Sequence, residues 1–191
     1  MTALFDALPQ CAEIDGVLYE LNTDYRVALC IITAFEDASL ADFEKQCIMI
    51  KLLYITPPPD MEKAAEIAVK FLNCGEENGD DGEAPLYSFT KDAPFIYSAV
   101  SGVCGADVLE KPLHWYRFSA YFRDIREDAF FSRLIYLRRG VRTGKLSPEE
   151  RRAAASLSNY MSVPSAGFEE NADAAEFMSL LKMGEKEGIF D

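Results

Sequence analysis

The 191 residues carry 19 Lys and Arg against 32 Asp and Glu, a net charge of −13, with 49% hydrophobic and 27% charged residues. That is an acidic globular composition, with enough chain to bury about 70% of its unfolded surface in one domain. No apolar run reaches the roughly 18 residues a bilayer span needs, and the opening MTALFDALPQ lacks the basic and apolar stretches of a signal peptide, so a cytoplasmic protein without membrane contact is expected.

The segment AEIDGVLYEL predicts a β-hairpin over about 12–21, because Asp15-Gly16 supplies the positive φ that a type I′ turn needs at both central residues. Asn22 or Thr23 is positioned to cap a first helix over about 24–37, with Val27, Cys30, Ile31 and Ala34 on its apolar face. Ser39 is the expected cap of the next helix. Its face is read as Leu40, Phe43, Cys47, Ile50 and Tyr54, widened by Ile48, Met49, Leu52 and Leu53 into the central helix of the core. Pro57 to Pro59 stop that helix and preset the first turn of a third, which Gly75 ends. Residues 75–85, rich in acids and glycine, predict a mobile loop.

A fourth helix is expected over about 91–104, with Pro94 in its first turn, Ile96, Val100, Val103 and Cys104 inward, and Gly105 closing it. LHWYRFSAYFRDI then places Trp115, Phe118, Phe122 and Ile125 at steps of three, four and three, a strongly amphipathic helix. After a break at 126–128, AFFSRLIYLRRG reads as a further helix, and SPEERRAAASLSNYM as another, with Ser147 as cap and Pro148 at the first position. Residues 163–191 read as a linker around Pro164–Gly167 followed by a short helix with Ala174, Phe177, Met178 and Leu181 on one stripe. The expected fold is therefore mainly α, a multi-helix single domain over 1–162 with a small N-terminal hairpin.

Chemistry-bearing patterns are sparse. Five cysteines, Cys11, Cys30, Cys47, Cys74 and Cys104, are odd in number and widely spaced; they fit neither a disulfide framework nor a zinc site and read as small buried hydrophobes. The single histidine, His114, sits among aromatics and reads as a packed structural residue. GVRTGKL at 140–146 has one residue too few between its glycines for a phosphate loop, and Leu146 where a magnesium-binding hydroxyl must stand. GEENGDDGE at 75–83 lacks the alternating oxygen ligands of a calcium loop. No catalytic, metal or cofactor site is expected. Charge is uneven: 7 basic and 20 acidic residues over 1–111, 10 and 5 over 112–152, 2 and 7 over 153–191. The basic segment 112–152 could meet nucleic acid, but a chain of pI near 4.5 repels a polyanion at distance, and pairing with the chain's own acidic segments is the simpler expectation.

The order LP, Asp-Gly hairpin, NTDYR at 22–26, LLYITPP at 52–58, acidic loop, SFTKDAPFIYSAV and LHWYRF at 113–118 resembles the bacteriophage gene product 15 family over roughly residues 8–152. The chain departs from it in having Tyr116 where the family often has a second Trp, and in its C-terminal tail. Members look like tail-gene products of long-tailed phages and prophages, commonly encoded just ahead of the tape measure protein. That position implies a tail assembly chaperone, acting in the host cytoplasm on the tape measure protein and, by extension, the tail tube protein. The expected contact residues are Trp115, Tyr116, Arg117, Tyr121 and Arg123, since Trp, Tyr and Arg are enriched at binding hot spots. Trp115 and Phe118 also suit a core role. The competing expectation is a head-tail connector component or a DNA-associated packaging protein using 112–152.

Overall fold

The computed structural model describes residues 7–76 and 85–162. Among these, strands β1 (Cys11–Ile14) and β2 (Val17–Glu20) precede eight α-helices: α1 (Tyr25–Glu36), α2 (Asp42–Leu53), α3 (Met61–Leu72), α4 (Ala93–Cys104), α5 (Trp115–Arg123), α6 (Phe130–Thr143), α7 (Pro148–Ser156) and α8 (Ser158–Met161). A 3-10 turn at Val108–Glu110 joins α4 to α5. The fold is mainly helical with a small N-terminal hairpin, as the sequence predicts. The expected mobile loop falls almost wholly, and the expected C-terminal linker and helix fall wholly, outside the described residues.

The hairpin is antiparallel, pairing Cys11 with Glu20 and Ile14 with Val17, and its turn residues Asp15 and Gly16 have φ of 52° and 78°. Both positive values match the right-handed twist of the strands. Ala12 and Ile14 point inward to the core, and the Asp15 carboxylate accepts from Lys63 Nζ at 2.7 Å, tying the turn to α3.

Several expected caps are corrected by the structure. Helix α1 is capped by Asp24, not by Asn22 or Thr23: Asp24 Oδ1 accepts from the Arg26 amide at 2.9 Å. The backbone of Asn22 and Thr23 is already committed to neighbouring segments, as described below. Ser39 does not cap α2, because its hydroxyl donates to Asp37 Oδ1 at 2.7 Å and the helix starts three residues later. There Glu44 reaches back to accept from the Ala41 amide at 2.9 Å. The three prolines lie in the connection, and Asp60, accepting from the Lys63 amide, caps α3. The final reading splits in two, α7 and α8, at Leu157.

The inward face of α2 also differs from the reading. Met49, Ile50, Leu53 and Tyr54 are buried, whereas Phe43, at the start of the helix, is 71% exposed. Only the C-terminal half of α2 is covered, by α1 and α3 on either side. The cysteines are not core residues: Cys11 is exposed and the other four are half-buried.

One main core joins the hairpin to α1 through α6, and a smaller cluster of Leu137, Leu146 and Ala154 lies between α6 and α7. Helix α6 does not stop at Gly140 but runs on to Thr143, ended by Gly144 in the left-handed region at φ 69°. Gly140 serves a different need. A Cβ there would stand 2.1 Å from Leu146 Cδ2, so the bare backbone is what lets the α6–α7 connection fold back and bury Leu146.

Candidate partner-binding face

The three stretches most specific to the resemblance are far apart in sequence and meet in space. Residues 21–25 run between the end of α2 and the start of α5 and exchange backbone hydrogen bonds with both. The Asn22 amide donates to Leu53 O at 2.7 Å, the Tyr25 amide to Leu113 O at 2.9 Å, and the Trp115 amide to Thr23 O at 2.7 Å. Ile55 adds a bond to Glu20 O at 3.0 Å, extending the junction to the hairpin. NTDYR, LLYITPP and LHWYRF thus form one backbone junction, with bridge pairs Leu21–Tyr54 and Asp24–His114 at its two sides. The junction needs residue types that seal it. Tyr25 stacks on Phe118 with centroids 4.6 Å apart, and its hydroxyl donates to Val108 O at 3.2 Å. Tyr54 does the same on the other side, donating to Ala64 O at 2.9 Å, and burial pushes its hydroxyl pKa up to about 12.

His114 is the structural residue expected, with a defined task. Its Nδ1 accepts from the Tyr116 amide at 3.1 Å, capping α5, and its Nε2 lies 2.9 Å from Pro9 O. A carbonyl only accepts, so Nε2 carries the proton and Nδ1 is the bare nitrogen. One imidazole therefore starts a helix and pins the segment that leads into β1.

The five expected contact residues do not form one face. Trp115 is 6% exposed and belongs to the core, its indole N–H donating to Leu72 O at 2.9 Å at the end of α3. Tyr116 is half-buried against Phe71 and His114, and burial pushes its hydroxyl up to about 12. Arg123 lies on the same flank of α5, paired with Glu76. Arg117 and Tyr121, four apart, lie on the opposite flank; Arg117 is exposed and Tyr121 partly so. The burial of Trp115 and Phe118 at a spacing of three fixes this split, because it turns the intervening residues to two different sides.

Two features lay outside the sequence reading. The first is a bidentate ion pair, Arg138 Nη1 to Asp92 Oδ2 at 2.6 Å and Nη2 to Oδ1 at 2.8 Å, with both side chains 2% exposed. Arg138 also donates to Leu86 O at 3.0 Å and, through Nε and Nη2, to Tyr160 O. Asp92 further accepts from the Ser88 amide at 3.0 Å. One guanidinium thus joins α6, the start of α4, the 85–92 segment and α8. The available signal was position: Arg138 falls four residues after Leu134 on the apolar stripe of α6, where a charge must find a buried counter-charge. Glu36 lies at the edge of this network, accepting from Ser88 Oγ at 3.2 Å, and burial raises its carboxyl above the usual range. The second feature is an open groove of about 460 Å³ between α4 and the 126–131 turn, floored by Ser98, Ala99 and Gly102 and walled by Phe95, Val103 and Phe130.

The fold and these surfaces define a mainly helical domain built around a motif junction. The chain belongs to the bacteriophage Gp15 protein family, whose pattern it matches over residues 4–162. No curated protein and no solved structure matches it. The match extends past the roughly 8–152 expected from the motifs and takes in α8, which the Arg138 network ties to the core.

Proposed function

We propose that this phage protein acts in tail morphogenesis as a non-enzymatic assembly chaperone that binds the tape measure protein in the cytoplasm of the bacterial host, and by extension meets the tail tube protein. The observation that carries the reading is membership of the Gp15 family over residues 4–162, together with the gene position that the resemblance implies. The physical need is plain. A long helical tape measure exposes apolar stripes until tube subunits surround it, and a net charge of −13 helps keep a complex that covers them in solution. The Arg117–Tyr121 flank of α5 is the part of the expected face that remains available for contact. No helix among the described residues is long and apolar enough to cross a membrane. The test is co-expression with the long open reading frame downstream. Soluble yield of that product and its co-elution should both rise with this protein present; no change in either removes the reading.

A connector or DNA-associated role is favoured by the excess of basic residues over 112–152, but much of that charge is used inside the chain. Arg138 and Arg123 pair with Asp92 and Glu76, Arg126 pairs with Asp128, and Arg142 and Arg151 donate to the carbonyls of Pro85 and Leu146. DNA binding whose affinity falls steeply with salt would put this second reading first.

A further inference from the structure

The groove between α4 and the 126–131 turn has its apolar wall open: Phe130 is 41% exposed. It lies where the described chain ends. Tyr160 packs edge-on against Phe95 and Phe130, with centroids 5.3 and 6.4 Å away, and Lys91 Nζ donates to Ser162 Oγ at 2.6 Å. The last described residues therefore lie at the rim of the apolar groove. The residues that follow, 163–191, hold 2 basic and 7 acidic residues and carry Ala174, Phe177, Met178 and Leu181 at steps of three, one and three. The two charges of the lining, Arg126 and Asp128, pair with each other, so what the groove offers is apolar and small surface.

We infer that the groove is a docking site for the chain's own segment 174–181, with Phe177 laid against the open edges of the touching Phe95–Phe130 pair, whose centroids are 4.8 Å apart, over the small-residue floor of Ser98, Ala99 and Gly102. The dimensions agree. From Phe95 to Val103 the floor of α4 is about 12 Å long, two turns, matching the two turns that a stripe from Ala174 to Leu181 would need. The residues between Ser162 and Ala174 can reach about 40 Å when extended, so the tether imposes no strain. Attachment at the rim also supplies an effective concentration on the order of millimolar, so a weak contact suffices. The small floor of Ser98, Ala99 and Gly102 lets another backbone approach closely. This inference stands apart from the tape measure reading, since it concerns only how this chain covers its own surface.

The test uses the full chain with benzoylphenylalanine in place of Phe177, photolysed and mapped by mass spectrometry after mixing with isotope-labelled copies. The expected product is a cross-link within one chain to residues 93–104 or 126–131. A companion variant, Ser98→Glu with Gly102→Glu, places two negative charges on an exposed helix face where a Cβ at 102 meets nothing within 4 Å. It should remain folded by circular dichroism and lose at least fivefold in cross-link yield. A cross-link between labelled and unlabelled chains, a cross-link elsewhere in the domain, no cross-link, or a yield indifferent to the two glutamates would each overturn the assignment.

Discussion

Replacing Arg138 by Met should be among the most damaging single changes in the protein. Met fills much of the same volume, so the loss isolates the polar network. The variant leaves the Asp92 carboxylate buried with the Ser88 amide as its remaining partner, and strips the Leu86 and Tyr160 carbonyls of their donors. Breaking a buried pair from one side costs about 3–5 kcal/mol. For a chain of this size each kcal/mol moves the melting temperature by about 2–4 °C, so a fall of about 6–20 °C is expected. Asp92→Leu should cost a similar amount, because it buries an uncompensated guanidinium. The double variant Arg138→Met with Asp92→Leu should be less damaged than the sum of the two singles, by about 2 kcal/mol or more, since no unpaired charge remains. Urea denaturation of the four proteins gives the cycle directly. Hydrogen exchange should also show faster opening of α8, whose Tyr160 carbonyl is held by Arg138. A cost below about 1 kcal/mol for Arg138→Met, or strictly additive singles, would refute the reasoning, for either result means that the pair is already solvated.

Gly140→Ala should destabilise by about 1–3 kcal/mol, because the new Cβ meets Leu146 Cδ2 at 2.1 Å, and adding Leu146→Ala should recover less than the full loss, the leucine itself being buried. Equal stability of Gly140→Ala and the parent in a thermal melt would rule out the close approach. His114→Ala should cost about 1–2 kcal/mol through loss of the α5 cap and the Pro9 tie, and His114→Asn, which keeps a capping acceptor, should cost less; the reverse order would count against the cap. Glu36→Gln tests the raised carboxyl. Below the unfolded pKa, near 4.3, the side chain is neutral in both states. As pH rises from there through the folded value the unfolded state ionises first, so the parent loses stability that the Glu36→Gln variant keeps. The variant should therefore gain on the parent as pH rises from about 4 through the raised folded value, and a gap that stays constant or narrows would contradict the burial of Glu36.

The elements were legible where one local pattern decides them. Asp15-Gly16 between alternating apolar residues specifies a hairpin without help from the rest of the chain, and Trp115, Phe118 and Phe122 mark the inward side of α5 by spacing alone. Caps were not legible in the same way, because Asn22, Thr23 and Asp24 are all good cap residues. Their choice is made by backbone bonds to Leu53 and Trp115, which stand far away in the chain. The apolar face of α2 was overread for a related reason: periodicity shows what a helix could bury, while α1 and α3 cover only its second half, leaving Phe43 outside. Gly140 looked like a stop signal because glycine often is one, and its real role depends on Leu146. Of the expected contact residues, Trp115 was equally suited to core and surface, and the carbonyl of Leu72 decided it for the core.

The motifs themselves carry a lesson about resemblance. NTDYR, LLYITPP and LHWYRF carry the resemblance to the family, and in the structure they hold the fold together at one junction. A role in binding would rest on side chains that point away from this junction, of which exposed Arg117 and partly exposed Tyr121 on α5 are the nearest. The most direct measurement is therefore the affinity of the purified full chain for the tape measure protein of the same phage, set beside that of Arg117→Glu with Tyr121→Ala. The parent should form a complex that co-elutes and keeps the partner soluble, and the variant, still folded by circular dichroism at the temperature of the assay, should bind at least tenfold more weakly, about 1.4 kcal/mol. Separate elution of the two parent proteins, with no gain in the partner's solubility, would contradict the assembly role.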